Sequence, residues 1–182
     1  MIYKFLLISD EQDNFVREIE IDSEATFLDF QKAIINSVKY SASELTTFFI
    51  CSDAWEKEQE VMFMEMDTDS TVDTYLMEDT KLEELVEDEG QKLLFVFDML
   101  TERAFFIELK EIVTGKTLKD AVCTYSQGLP PQQLINFDDF EETIIKKTEK
   151  QSVFDADLYD EEGYNEDELD MEGFSDFDWD ER

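Results

Sequence analysis

The sequence predicts an α+β fold: a mainly antiparallel sheet of hairpins with one principal helix packed on a face, β-grasp-like in arrangement. Three observations predict it. Short apolar or alternating segments occur in pairs joined by polar links, at the N-terminus and again near residue 100. One longer stretch carries apolar residues at helical spacing behind a capping signature. Sixteen Phe, six Tyr and two Trp in 182 residues supply bulk for a core, whereas a disordered chain of this charge would have few aromatics.

The elements follow in order. Tyr3 to Ile8 is a nearly continuous apolar run, as expected of a strand covered on both sides. After a polar link, Asn14 to Ile21 alternates: Phe15, Arg17, Ile19 and Ile21 point one way, Val16, Glu18 and Glu20 the other. Together they make an N-terminal hairpin. Thr26 caps the principal helix and Asp29, three residues on, completes a capping box. Phe27, Phe30, Ile34, Ile35 and Val38 then line one face. Thr46–Cys51 and Val61–Met66 read as strands, and the acidic stretch from Asp67 to Thr80 as an exposed loop.

Thr80-x-x-Glu83 heads a short helix of about two turns, with Gly90 placed as its C-cap. Lys92–Asp98 and Arg103–Leu109 are strands joined by Met99–Glu102, an antiparallel hairpin. The pattern breaks up after Gly115, and Leu129-Pro130-Pro131 marks an extended turn. Asn136 caps a last helix with Phe137, Phe140, Ile144 and Ile145 as its stripe and Lys146, Lys147 and Lys150 towards its C-terminal end. The chain thus divides into an α+β domain at 1–136, a C-terminal helix at 137–150 and an acidic-aromatic tail at 151–182, partly disordered or docked on the domain.

Charge bounds the function. There are 48 acidic and 15 basic residues and no histidine, a net charge of −33. From Ser152 to Arg182 fourteen acids accompany one base. Such a surface repels nucleic acid and anionic membrane, which need clustered Lys and Arg. The absence of histidine removes the commonest general base and metal ligand. No apolar run reaches the roughly 18–20 residues of a membrane span, and the N-terminus reads as a strand, not a signal peptide. Cys51 and Cys123 lack any CxxC spacing and read as free buried thiols in a reducing cytoplasm.

The chemical motifs are incomplete. Thr114-Gly115-Lys116-Thr117 resembles the end of a phosphate loop, but Lys110 stands where its first glycine belongs. Asp155-x-Asp157 with Glu166 has calcium-loop spacing, but Tyr159 holds an oxygen-ligand place and Asp160 the place of the turn glycine. No catalytic, metal or cofactor residues are therefore assigned, and no enzyme activity is expected. The tail sets Phe154, Tyr159, Tyr164, Phe174, Phe177 and Trp179 among its acids, a composition of partner-binding segments. The expectation is a cytoplasmic, non-catalytic interaction or accessory protein that binds a basic protein. The alternatives are a nucleic-acid mimic acting on a DNA-handling protein and a divalent-metal-dependent hydrolase.

Several stretches match a known family pattern. Phe15-Val16-Arg17-Glu18-Ile19 falls on an I-W-R strand, Phe27-Leu28-Asp29-Phe30-Gln31 on an L-H helix, and Glu44-Leu45-Thr46-Thr47-Phe48 on an H-L-x-x-F strand. Phe97-Asp98-Met99-Leu100-Thr101-Glu102-Arg103 falls on a Y-D-F-G-D-x-W hairpin, and Cys123 to Pro131 on a later segment ending in two prolines. Phe154-Asp155 through Asn165 to Leu169 is similar to the C-terminal pattern. On these residues the chain resembles the Ri-plasmid ORF-3-like family, a bacterial group also carried by insertion sequences and without an established activity. It resembles a divergent member: Gln31 and Glu44 stand where typical members have histidines, and Val16 and Arg103 where they have tryptophans. The resemblance implies a cytoplasmic bacterial α+β protein, and any chemistry resting on those groups would be lost or altered here.

Overall fold

The computed structural model describes residues 1–64 and 73–134, all within one compact unit, Met1–Leu134. The strands are β1 (Ile2–Ile8), β2 (Val16–Asp22), β3 (Thr47–Cys51), β4 (Lys57–Met62), β5 (Asp73–Leu76), β6 (Lys92–Asp98), β7 (Arg103–Val113) and β8 (Val122–Gln127). The helices are α1 (Phe27–Val38) and the single-turn α2 (Leu82–Leu85). All eight strands form one sheet in the order β5-β4-β3-β6-β7-β1-β2-β8. Every adjacent pair is antiparallel except β4–β5. The α+β class and the mainly antiparallel sheet with one principal helix are as the sequence predicts.

Sequence period decides the packing. On β2 the phase holding Phe15, Arg17, Ile19 and Ile21 is buried, and on α1 all five apolar stripe residues are. The Thr26 hydroxyl accepts the Asp29 N–H at 3.2 Å and the Asp29 carboxylate accepts the Thr26 N–H, so the capping box forms. Between helix and sheet runs a chain of rings. Phe5 stacks on Phe30 at 4.5 Å, Phe30 on Phe48 at 5.4 Å, and Phe48 meets Phe95 at 4.7 Å. Phe105 joins Phe97 at 4.7 Å and Phe15 at 5.0 Å. Pairs at these spacings add about 0.5–1.5 kcal/mol each beyond area burial.

The structure corrects several expectations at the margins. β4 starts at Lys57 and ends at Met62, so the strand lies upstream of the predicted 61–66, and Phe63 and Met64 are exposed. The predicted loop from Asp67 to Thr80 contains β5, whose Tyr75 packs against the core while its first two residues are exposed. Thr80 does not cap α2. It is buried, and its carbonyl accepts the Phe27 N–H at 3.0 Å, which fixes it to the start of α1. Lys81 is the N-cap, its N–H donating to Glu84 at 3.3 Å, while Glu83 accepts the Ser23 hydroxyl.

Gly90 is not the C-cap either, since α2 ends at Leu85. It turns the chain into β6 at φ +90°, its N–H donating to the Leu109 carbonyl at 2.7 Å. β7 runs on to Val113, and the stretch read as patternless contains β8. All six β8 residues are exposed, so no apolar alternation marks it. Two bulges, one skipping Lys110 on β7 and one skipping Thr124 on β8, bend this half of the sheet. The helix expected at 137–150 and the tail at 151–182 lie outside the described residues. Among the described residues no helix is long and apolar enough to cross a membrane.

Candidate functional site

Three of the family-pattern residues, Arg17, Asp98 and Arg103, lie where the β1–β2 loop, the β6–β7 turn, the end of α1 and residues 127–133 come together. Arg17 reaches this region from within the core. β2 alternation places an arginine in the phase of Phe15 and Ile19, so its guanidinium must be satisfied away from water. Nη1 donates to the carbonyls of Val16 at 2.8 Å and Gln127 at 2.6 Å, and Nη2 to that of Gly128 at 3.1 Å. Nε donates to Ser37 of α1 at 3.4 Å, and the guanidinium lies 4.5 Å from the Phe15 ring centroid. One cation thereby ties β2, α1 and the end of β8 together. Beside it Gly128, at φ +71°, runs so close to the β1–β2 loop that a Cβ would lie 2.3 Å from the Asn14 carbonyl oxygen.

Arg103 organises the neighbouring corner. It grips Glu11 in a two-pronged ion pair, Nε at 2.8 Å and Nη2 at 2.7 Å. Nη2 also donates to the Gln132 carbonyl at 2.6 Å, and Nη1 lies 3.7 Å from Asp98. The Glu11 hydrogen bonds push the guanidinium above its ordinary value, outweighing the opposing effect of burial. Asp98 accepts the Thr101 hydroxyl at 2.6 Å and the Leu100 N–H at 3.0 Å, which closes the β6–β7 turn. Burial pushes its carboxyl up, but the Thr101 and Leu100 hydrogen bonds and Arg103 together bring it below the ordinary range.

Tyr40, just past α1, donates to the Pro131 carbonyl at 2.6 Å, and Gln133 exchanges two hydrogen bonds with the Ser41 backbone. Burial raises the Tyr40 phenol well above its usual range. Residues 131–133 are therefore strapped across this corner by Arg103, Tyr40 and the Ser41 backbone. The signal for Arg17 is present in sequence, as a cation in an apolar phase. Glu11, Tyr40 and Gln133 carry no such signal, because their partners are roughly 90 residues away along the chain.

Gln31 and Glu44 do not converge on one another: Gln31 is buried and donates to Thr46 at 3.0 Å, while Glu44 accepts from Ser43 in the loop. Thr114–Thr117 forms a turn between β7 and β8, with Gly115 at φ +75°, and no helix follows it as a phosphate loop requires. Of the two thiols, Cys51 is buried as expected, and its thiol is pushed up to about 11 by that burial. Cys123 is exposed on β8, contrary to expectation, because its strand lies at the rim of the sheet. Among the described residues no group of three His, Cys, Asp or Glu could hold a metal. The candidate partner-binding residues Phe154, Tyr159, Tyr164, Phe174, Phe177 and Trp179, and the Asp155–Glu166 run, lie outside the described residues.

A crystal structure of a protein of unknown function from Methanosarcina mazei Go1 has a TM-score of 0.57 over 90% of this chain and 93% of that one, at 17% identity. At that identity the likeness concerns the fold. No curated protein matches the chain. The model of the plasmid pRiA4b ORF-3-like proteins matches residues 4–173, which takes in the hairpin, the helix and both arginine corners. With nearly the whole sequence covered, the chain belongs to the plasmid pRiA4b ORF-3-like family.

Proposed function

We propose that this protein is a non-catalytic cytoplasmic interaction or accessory protein, and that its acidic surface binds a basic protein. The observation that supports this most directly is how charge is distributed. The two cations at the family-pattern corner are turned inward, onto backbone carbonyls and onto Glu11 and Asp98. The chain as a whole carries a large excess of carboxylates. A field of that sign attracts cationic partners and speeds their encounter. The acidic-aromatic tail would add contact surface through Phe154, Tyr159 and Trp179. Within this reading the β-grasp-like description extends to the β1–β2 hairpin with α1 laid across it.

The nucleic-acid-mimic alternative needs carboxylates in ordered rows. On the sheet face away from α1, Glu20 and Glu111 both pair with Lys4, and Glu108 with Lys110. That interleaving favours the first reading. The test is recovery of partners on the immobilised full-length chain, washed at low salt and then at about 0.5 M salt, where the screening length falls well below 10 Å. Basic proteins released by the salt step are expected. Partners of no particular charge that stay bound would overturn the proposal.

A further inference from the structure

We infer that β8 is the docking edge of this protein, and that it takes an extended basic segment of a partner as an added strand. The inference rests on the binding role proposed above and gives it a place. β8 ends the sheet, and among the described residues no strand pairs with its outer side. Sheet edges are usually blunted by charge, proline or extreme shortness. In β8 the six residues Val-Cys-Thr-Tyr-Ser-Gln include neither a charged residue nor a proline, in a chain that is 35% charged. Its one irregularity is the bulge at Thr124, whose hydroxyl turns back to the Glu18 carbonyl. The opposite edge differs: β5 has four residues, opens on Asp73 and joins by a parallel pairing.

The edge is also held in place. Arg17 fixes the carbonyls of Gln127 and Gly128, so β8 is presented by a core residue and costs a partner little ordering. The charges beside it specify what kind of strand fits. Glu18 flanks it on β2 opposite Tyr125, and Glu20, which also pairs with Lys4, lies opposite Val122 on the same face. Asp13 lines a groove of about 420 Å³ at its C-terminal end with Asn14, Gly128 and Leu129. The nearest cation on β1, Lys4, is already bound by Glu20 and Glu111. A second copy of this chain would bring the same acids against each other. An extended segment with alternating lysines supplies the backbone pairing and places its cations on that acidic flank.

The test uses the full chain and two synthetic peptides of about twelve residues, the span of a long added strand. One alternates lysine with valine and threonine; the other has the same lysines with proline at every alternate position. Binding is read at low salt, together with hydrogen exchange of the β8 amides. The alternating peptide is expected to bind and to slow exchange in β8 by about tenfold or more, while the proline peptide does neither. Val122→Lys with Tyr125→Lys should weaken binding about tenfold, whereas Met99→Lys with Leu100→Lys, the same charge change at the β6–β7 turn, should not. Equal binding of both peptides without protection of β8 would overturn this inference and leave the acidic-surface reading standing. Binding of neither would overturn both. Protection of the outer β8 amides before any peptide is added would mean the edge already has another occupant, and would overturn the inference alone.

Discussion

The strands beneath α1 and the strand at the rim are built from opposite materials. β1, β6 and β7 put Phe5, Leu7, Leu93, Phe95, Phe97, Phe105 and Ile107 against α1, all nearly inaccessible to water. β8 buries none of its six residues and is held by its pairing to β2 and by Arg17. The interior is stabilised by apolar area, while the rim is positioned by polar contacts that originate in the interior. A strand of the second kind can change its outer partner without disturbing the core. That division separates what keeps this protein folded from what it has free to offer.

The largest effect is expected from a cavity opened in the ring chain. Phe48→Ala should lower unfolding stability by about 3–5 kcal/mol in a denaturant titration, since Phe48 is fully buried between Phe30 and Phe95. A loss no larger than that of an exposed site would mean the rings do not carry the fold. Arg17→Leu tests the link between the regions. It leaves four carbonyls without their donor, at about 1 kcal/mol apiece, so about 4 kcal/mol overall. Faster hydrogen exchange in β8 than in β1 should accompany it.

The two cysteines report the same contrast without mutation. Under native conditions Cys123 should react with a thiol reagent at least about tenfold faster than Cys51, because Cys51 must first be exposed by opening. In the closed fold, burial also pushes the Cys51 thiol up to about 11, which keeps it protonated there. Similar rates would show that the interior opens as readily as the rim.

Acid reaches the corner next. Asp98 has its carboxyl depressed in the folded state, so its stabilising contribution is present above the unfolded carboxylate value and is lost as pH falls through the lower folded one. Stability followed below pH about 4 should therefore decline less steeply in Asp98→Asn than in the parent chain. The smallest effect belongs to the rim. Tyr125→Ala should change stability by no more than about 0.5 kcal/mol, as for other exposed positions. A larger loss would mean that β8 is part of the core after all.

Legibility followed burial. The phase of β2, the stripe and capping box of α1 and the whole of β6 can be read from the sequence, because each rests on residues within a few positions of one another. β5 and β8 cannot. Tyr75 is the only β5 side chain packed on the core, and β8 packs none, so neither leaves an alternating pattern. Thr80-x-x-Glu83 misleads for a related reason. The capping pattern is genuine, but the Thr80 carbonyl is taken by Phe27 and the Glu83 carboxylate by Ser23, partners more than 50 residues away. At the candidate site Arg17 is conspicuous as a cation in an apolar phase, while Glu11, Tyr40 and Gln133 gain their roles only from chain crossings.

By itself, then, the sequence determined the class of the fold, the faces of its central elements, the family pattern and the excess of negative charge. These depend on periodicity and composition, which are local or additive. Only the tertiary structure decided that Arg17 and Arg103 turn inward, that Cys123 is exposed where Cys51 is buried, and that an uncharged strand forms the end of the sheet. Each of these depends on which distant segment supplies a carbonyl, a carboxylate or a neighbouring strand, and sequence spacing does not encode that choice.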